Sequence, residues 1–319
     1  MRIPIQNSTI LVTGGAGFIG GHLVDRLLEE QPKQVIVVDN LFVGEKANLS
    51  DALKKGVLLY VDDAEIEGCL DSVFSRHSID IVFNCATKAL NYSFLNPSNA
   101  FMTNVVVIKN LLELQRKKAF QTLCHFSSSE AYGSSVYEPM DENHPLQPTT
   151  TYAAGKAAAD LMLQSYVRMF DLDAFIVRAF NNYGPRQSNH RELAAVIPKT
   201  IEKILSGEAP EIHGTGQQKR DFIYVGDTVE AVINVFSKLK PGEVVNISAD
   251  SQVAIGELVE KIAQLLRYNG DIVQREARKA DVISHNGCNQ KLKTLVRDLR
   301  FTPLEQGLKE TIRWYKGGK

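Results

Sequence analysis

Residues 10–20 read ILVTGGAGFIG, and no other stretch narrows the possible folds as far. Ile10 to Thr13 has strand character and runs directly into glycines at 14, 17 and 20. From near Phe18 a helical pattern places Ile19, Leu23 and Leu27 on one side. A strand, a tight turn and a helix follow one another. In this reading Gly14 lets the chain turn sharply. Gly17 removes a Cβ where a pyrophosphate approaches the backbone, and Gly20 lets the helix lie close on the strand. The free amides and positive dipole end of that helix face the phosphates. A glycine triplet also serves plain packing, so the next strand carries weight. Residues 34–40, QVIVVDN, form a buried-strand run ending in Asp39, about twenty residues past Gly20, where a carboxylate takes ribose hydroxyls. An acid there repels a 2′-phosphate, which favours NAD over NADP.

The same alternation continues. Strand patterns at 57–61, 79–85, 122–126 and 174–178 are separated by helical patterns at 66–76, 99–117 and 152–170. This predicts an α/β fold, a doubly wound parallel (Rossmann) sheet. A polar helical piece at 46–55 precedes the third strand, which ends at Asp62 and Asp63, where either aspartate faces an adenine or simply solvent. Beyond Asn181 the rhythm loosens. Residues 181–191 read as loop, 194–205 as helix, 211–216 as a short turn-flanked segment and 222–225 as an edge strand. A helix capped by Asp227, a strand at 244–247 and helices at 255–267 and 304–315 complete the chain. The expected division is an NAD-binding domain at 1–180 and a smaller C-terminal α/β substrate-binding lobe at 181–319, the chain crossing back once, with substrate between them.

Composition excludes several classes. With 319 residues, 44% hydrophobic and 23% charged, the chain can bury a large core. A net charge of −1 supplies no field to draw it to nucleic acid or an anionic membrane. Cys69, Cys85, Cys124 and Cys288 lack C-x-x-C spacing and read as reduced thiols rather than metal ligands. No apolar run reaches transmembrane length and the first residues lack a signal core, so a cytoplasmic location is expected.

Tyr152 and Lys156 stand one helical turn apart and emerge on one face. A nearby ammonium is expected to lower the phenol pKa, so that Tyr152 takes a proton from an alcohol as hydride leaves for NAD. Together with TGGAGFIG (13–20), VVDN (37–40), SSSEAYG (127–133), YAAGK (152–156), FNNYGPRQ (180–187) and RDFIYVGDT (220–228), the pair makes the sequence resemble the extended short-chain dehydrogenase/reductase family, in its nucleotide-sugar epimerase and dehydratase branch. The resemblance covers nearly the whole chain. It implies oxidation of a sugar hydroxyl, most often at C4, by bound NAD, with Tyr152 as base, Lys156 on the nicotinamide ribose and Ser128 steadying the sugar oxygen. It further implies that the cofactor is lined by Gly14 and Gly17, by Phe18 and Ile19 after them, by Asp39 and Asn40, by Asp63 and Ala64, and by Ala86. Asn181, Arg220 and Arg278 are implied to contact the nucleotide diphosphate, and Arg186 with the loop to Pro198 to flank the base. Dimerisation through helices 99–117 and 152–170 is implied as well.

Within the branch, Glu130 matters most. Once C4 is a ketone the C5 proton is acidified, and a carboxylate over it can remove or return that proton. The branch's 4-epimerases usually carry a small or hydroxyl residue there, and its common 4,6-dehydratases pair the glutamate with a preceding aspartate. Here the preceding residue is Ser129, a poor proton donor. Three outcomes remain: dehydration with weak acid help, decarboxylation at C5, or chemistry on a 5,6-ene. Lys88 is a second departure and reads as proton donor, substrate ligand or loop charge. His190, His213 and His285 look like loop residues. The reading is an NAD-dependent enzyme acting on a UDP-hexose or UDP-N-acetylhexosamine, with a 4-epimerase as alternative. A non-catalytic dinucleotide sensor has no need of both Tyr152 and Lys156.

Overall fold

The computed structural model describes residues 2–277, 282 and 284–317. It opens with strand β1 (Thr9–Thr13), helix α1 (Phe18–Glu29), β2 (Gln34–Asp39), α2 (Ser50–Lys54), β3 (Leu58–Val61), α3 (Cys69–Arg76) and β4 (Ile81–Asn84). Two long helices, α4 (Pro97–Arg116) and α5 (Thr151–Phe170), flank β5 (Thr122–Ser128), and β6 (Asp173–Ala179) follows. Next come β7 (Asn181–Tyr183), α6 (Val196–Leu205), β8 (Glu211–His213), β9 (Lys219–Tyr224), α7 (Val225–Val235) and β10 (Val244–Ile247). The chain continues through β11 (Gln252–Ala254), α8 (Ile255–Leu266), β12 (Val273–Arg275), α9 (Gln290–Leu295) and α10 (Leu304–Tyr315).

Seven parallel strands form the main sheet in the order β10-β6-β5-β4-β1-β2-β3. Its direction of winding reverses between β1 and β4, so a crevice opens at the C-terminal ends of those two strands. Every residue of β1 is buried, which requires cover on both faces. Alternation supplies it: Ile10 and Val12 pack with Leu23 and Val232 on one face, while Leu11 packs with Ile108 and Leu163 on the other. The sheet is therefore doubly wound, as its strand–helix rhythm predicts. A separate core under α6, α8 and α10, around Tyr183, Ile201, Leu258 and Leu308, supports the far side of the crevice.

Three local expectations change. Residues 181–183 are strand β7 rather than loop, pairing parallel with β9. The strand after Gln218 is not an edge: β9 lies between β11 and β7 in a three-stranded sheet. Asp227 does not cap α7, which starts at Val225. Its carboxylate instead accepts from the Thr302 amide at 2.6 Å and hydroxyl at 2.8 Å, tying α7 to the segment before α10. After α7 the chain returns to the main sheet, where β10 lies parallel to β6.

Candidate active site

A cleft of about 500 Å³ runs along the strand ends, from Gly14 and Asp39 through Glu130 and Tyr152 to Arg220 and His213. At its first end Gly14 adopts φ +70°, and a Cβ there would sit 2.7 Å from the Ala86 backbone. A Cβ on Gly20 would lie 2.2 Å from the Gly14 carbonyl oxygen, so both positions admit only glycine. Helix α1 starts at Gly17 without a side-chain cap, and Phe18 and Ile19 form part of the cleft wall. Unpaired first-turn amides beside a backbone with no Cβ suit a pyrophosphate. Asp39 is buried. Its carboxylate accepts from the Ala16 amide at 2.9 Å and the Leu41 amide at 2.8 Å, so it braces the glycine loop as well as facing the cleft. Burial pushes its pKa up, and those amides oppose the shift. Asn40 donates to Asp63 at 2.8 Å, and both line the cleft with Ala64 and Ala86. These donors, acceptors and glycines fit a dinucleotide.

At the middle of the cleft Tyr152 projects from the first turn of α5, whose small residues let that helix lie against α4: a Cβ on Gly155 already approaches the Phe101 carbonyl oxygen to 2.7 Å. The Tyr152 phenol is flanked by the Ser128 and Thr87 hydroxyls. Burial pushes it up to about 12, against the lowering by those two hydrogen bonds, and the Glu130 charge pushes it the same way as burial. The expected depression by Lys156 is thus not present. The Lys156 ammonium donates to the Phe126 carbonyl at 2.7 Å, behind the cleft wall, and burial lowers its pKa to about 8 while Asp160 works in the opposite direction.

Asp160 belongs to a buried network that sequence reasoning missed. It accepts from Ser127 at 2.6 Å and Arg178 at 2.7 Å, with His125 Nε2 3.6 Å away; Asn84 links His125 Nδ1 (3.0 Å) to Thr13 (2.7 Å). Burial, then Lys156 and Arg178, push the His125 pKa well down. The signal was available: Tyr152, Lys156 and Asp160 repeat at four-residue spacing along one helix face.

Glu130 and Ser129 sit in the single 3-10 turn that follows β5, and the Ser128 hydroxyl accepts from the Glu130 amide at 3.2 Å. That turn aims Ser128, Ser129 and Glu130 into the cleft beside Tyr152. Lys88 is not a solvated loop charge. It is 6% exposed, its Nζ lies 3.5 Å from Glu65 and 4.3 Å from the centre of the Phe42 ring, and its charge reaches Asp39. Glu65 is itself held by Thr103 at 2.7 Å. Lys88 therefore stands on the Asp39 side of the cleft.

At the far end, Arg220 and Asn181 line the cleft as expected, Arg220 buried and Asn181 donating to the Asp221 carbonyl at 3.3 Å. Arg186 does not join them. It adopts φ +64° and turns its guanidinium to the half-buried Asp25 of α1, at 2.6 Å. Arg278 lies outside the described residues. Lys199 and Lys203 of α6, absent from the sequence reading, face the cleft beside Glu211, at 3.1 and 3.3 Å. Burial alone would raise Glu211, but Lys199, Lys203 and Arg275 hold it down to about 2. Among the described residues Lys199, Lys203 and Arg220 line this end of the cleft with the single carboxylate Glu211, which favours an anionic group such as a diphosphate.

Comparison with known proteins agrees with this geometry. Residues 10–248 match the model of the NAD dependent epimerase/dehydratase family. The chain is 31% identical to the dTDP-D-glucose 4,6-dehydratase of Mus musculus, over 96% of this chain and 88% of that protein. It is similar in structure to the UDP-glucose 4-epimerase of Thermotoga maritima solved with UDP-glucose, with TM-score 0.90, 32% identity, and 97% and 99% of the two chains covered. It is also similar to a dTDP-glucose 4,6-dehydratase of Streptomyces venezuelae solved with NAD bound, with TM-score 0.89, 28% identity and 97% of each chain covered.

Proposed function

The chain belongs to the NAD dependent epimerase/dehydratase family, and from that premise we propose that it remodels the hexose of a nucleotide sugar, a UDP-hexose or UDP-N-acetylhexosamine, through a C4 ketone with Glu130 moving the C5 proton. NAD, when bound, supplies hydride acceptance and return. In this reading Tyr152 takes the proton of the C4 hydroxyl and Ser128 steadies that oxygen, while Lys156 must turn from the Phe126 carbonyl behind the cleft wall to reach the nicotinamide ribose. Asp39 takes the adenosine ribose, and Arg220, Asn181, Lys199 and Lys203 hold the diphosphate end.

The observation that carries the reading is the position of Glu130. Among the described residues lining the cleft, Asp39, Asp62, Asp63 and Glu65 stand at the ends of β2 and β3, and Glu211 stands at the far end. Glu130 is the cleft-wall carboxylate whose charge is felt at the Tyr152 phenol. Ser129 beside it is no acid, which points away from assisted loss of a C6 hydroxyl and toward dehydration with weak help, decarboxylation, or a substrate whose C6 oxygen has already gone. The test is product analysis by mass spectrometry and NMR on UDP-, dTDP- and GDP-sugars, 5,6-unsaturated ones included. Loss of water or carbon dioxide, or conversion of an exocyclic alkene to a methyl group, is the expected result. Unchanged mass with inverted C4 supports the second reading, a 4-epimerase, which likeness to the Thermotoga maritima enzyme favours.

The protein is further proposed to be a cytoplasmic homodimer paired through α4 and α5. Leu161 and Met169 stand about two turns apart on α5 and are 55% and 68% exposed, and Met102 of α4 is 43% exposed. Apolar residues in that arrangement suit a helix-to-helix interface, and four unpaired cysteines suit a reducing compartment. Among the described residues no helix is long and apolar enough to cross a membrane. Sedimentation at micromolar concentration should give twice the chain mass; a monomer there refutes the pairing.

A further inference from the structure

His285 has no place in the sequence motifs, yet it is fully buried against the catalytic turn. Its Nδ1 stands 3.8 Å from Glu130 Oε1, and its Nε2 stands 2.8 Å from the Gly133 carbonyl oxygen. A carbonyl oxygen only accepts, so Nε2 carries the hydrogen and Nδ1 of the neutral ring is a bare acceptor. Among the described residues that Nδ1 has no hydrogen-bond partner. It faces a carboxylate, which when ionised is also an acceptor only. Once Glu130 gains a proton, its O–H is the donor that the buried Nδ1 lacks, so the pair can then share that proton. The ring is held by its Nε2 hydrogen bond to Gly133 and by Phe180, edge-on at 6.3 Å, while its backbone amide donates to the Lys219 carbonyl at 3.2 Å.

We propose, resting on the reading of Glu130 above, that His285 is a positioning residue that stores the proton Glu130 exchanges with the sugar. When Glu130 takes the C5 proton, the C–H electron pair stays on the sugar as the enolate of the C4 ketone. The new carboxylic acid passes its proton to Nδ1, leaving an imidazolium and a restored carboxylate. Return of that proton to the sugar carbon regenerates the neutral ring, so atoms and charge balance with no co-reactant. The charged neighbours fit a ring that rests neutral and gains a proton only transiently. Burial lowers its pKa, Glu130 opposes that, and Arg220 and His144 add to it. The separation of 3.8 Å exceeds a hydrogen bond, so the transfer requires the Glu130 carboxylate to move toward Nδ1.

His285→Gln keeps a side-chain N–H for Gly133 and removes Nδ1. With UDP-glucose and UDP-N-acetylglucosamine in heavy water, deuterium entry at C5 should fall about thirtyfold to a hundredfold. KM and the single-turnover absorbance of reduced nicotinamide should stay within about threefold. Glu130→Gln combined with His285→Gln should be no slower than Glu130→Gln alone, because the two residues act as a unit. A substrate-free readout accompanies these: nitrogen NMR of labelled histidines should show His285 protonated at Nε2, with its pKa falling by about one unit in Glu130→Gln. That readout decides the matter if His285→Gln does not fold or neither sugar is turned over. Protonation at Nδ1, a titration indifferent to Glu130, unchanged C5 exchange in His285→Gln, or equal loss of C4 oxidation overturns the proposal. Turnover by the native enzyme with no C5 exchange removes the Glu130 reading and this one together, whereas exchange that ignores His285 removes this one alone.

Discussion

Tyr152→Phe should lower kcat by about a thousandfold or more while leaving KM within about threefold, since general acid–base groups contribute on that scale. Phenylalanine fills the same space and removes one oxygen, so α5 and its contacts with α4 remain. The lost oxygen is the one flanked by Ser128 and Thr87, and neither hydroxyl is a better base. Burial already holds the phenol near 12. In the proposed reaction the proton would pass within that hydrogen-bonded group at the reacting alcohol, because burial and the Glu130 charge raise the phenol rather than lower it. Loss should appear in the step that oxidises C4, read as the single-turnover absorbance of reduced nicotinamide. Cofactor content should be unchanged. Full turnover by Tyr152→Phe on the true substrate would remove the enzyme reading in favour of a dinucleotide sensor.

The second large effect falls on a different bond. Glu130→Gln is nearly isosteric and keeps the backbone amide that donates to Ser128, but an amide cannot take a proton from carbon. C5 deuterium exchange and net product should drop by about a thousandfold, and C4 oxidation should persist within about threefold. The two variants thus divide the reaction into hydride and proton steps. A Glu130→Gln enzyme that still forms product at the native rate would convert the reading to a 4-epimerase, which needs no proton at C5.

Much of this site was readable from local pattern. Glycine spacing, the acid at the end of β2 and the Tyr152–Lys156 pair are one-dimensional signals, because a turn that excludes Cβ and two side chains one helical turn apart are properties of neighbouring residues. Other features were not readable. Lys199 and Lys203 look like ordinary surface lysines of an amphipathic helix until α6 is seen to close the cleft. Arg186 sits in a glycine- and proline-containing loop typical of a binding segment, and only its pairing with Asp25, far away in sequence, turns it aside. The direction of the tyrosine pKa shift differs from the expected one for a similar reason: spacing gives proximity, whereas burial and the Glu130 charge raise the phenol and the Lys156 ammonium is engaged by the Phe126 carbonyl.

The linear order of residues determined the doubly wound sheet, the glycine loop between β1 and α1 and the 3-10 turn after β5, since strand and helix periodicity and glycine geometry act over a few residues at a time. Only the folded chain decided which charges meet. It set Lys88 against Glu65, turned β7 and β9 into a paired sheet beneath the substrate end, and buried His285 beside Glu130. Those outcomes depend on partners distant in sequence and on how far each group is removed from water, and pairwise electrostatics in a low-dielectric interior is a property of positions in space that no local pattern carries.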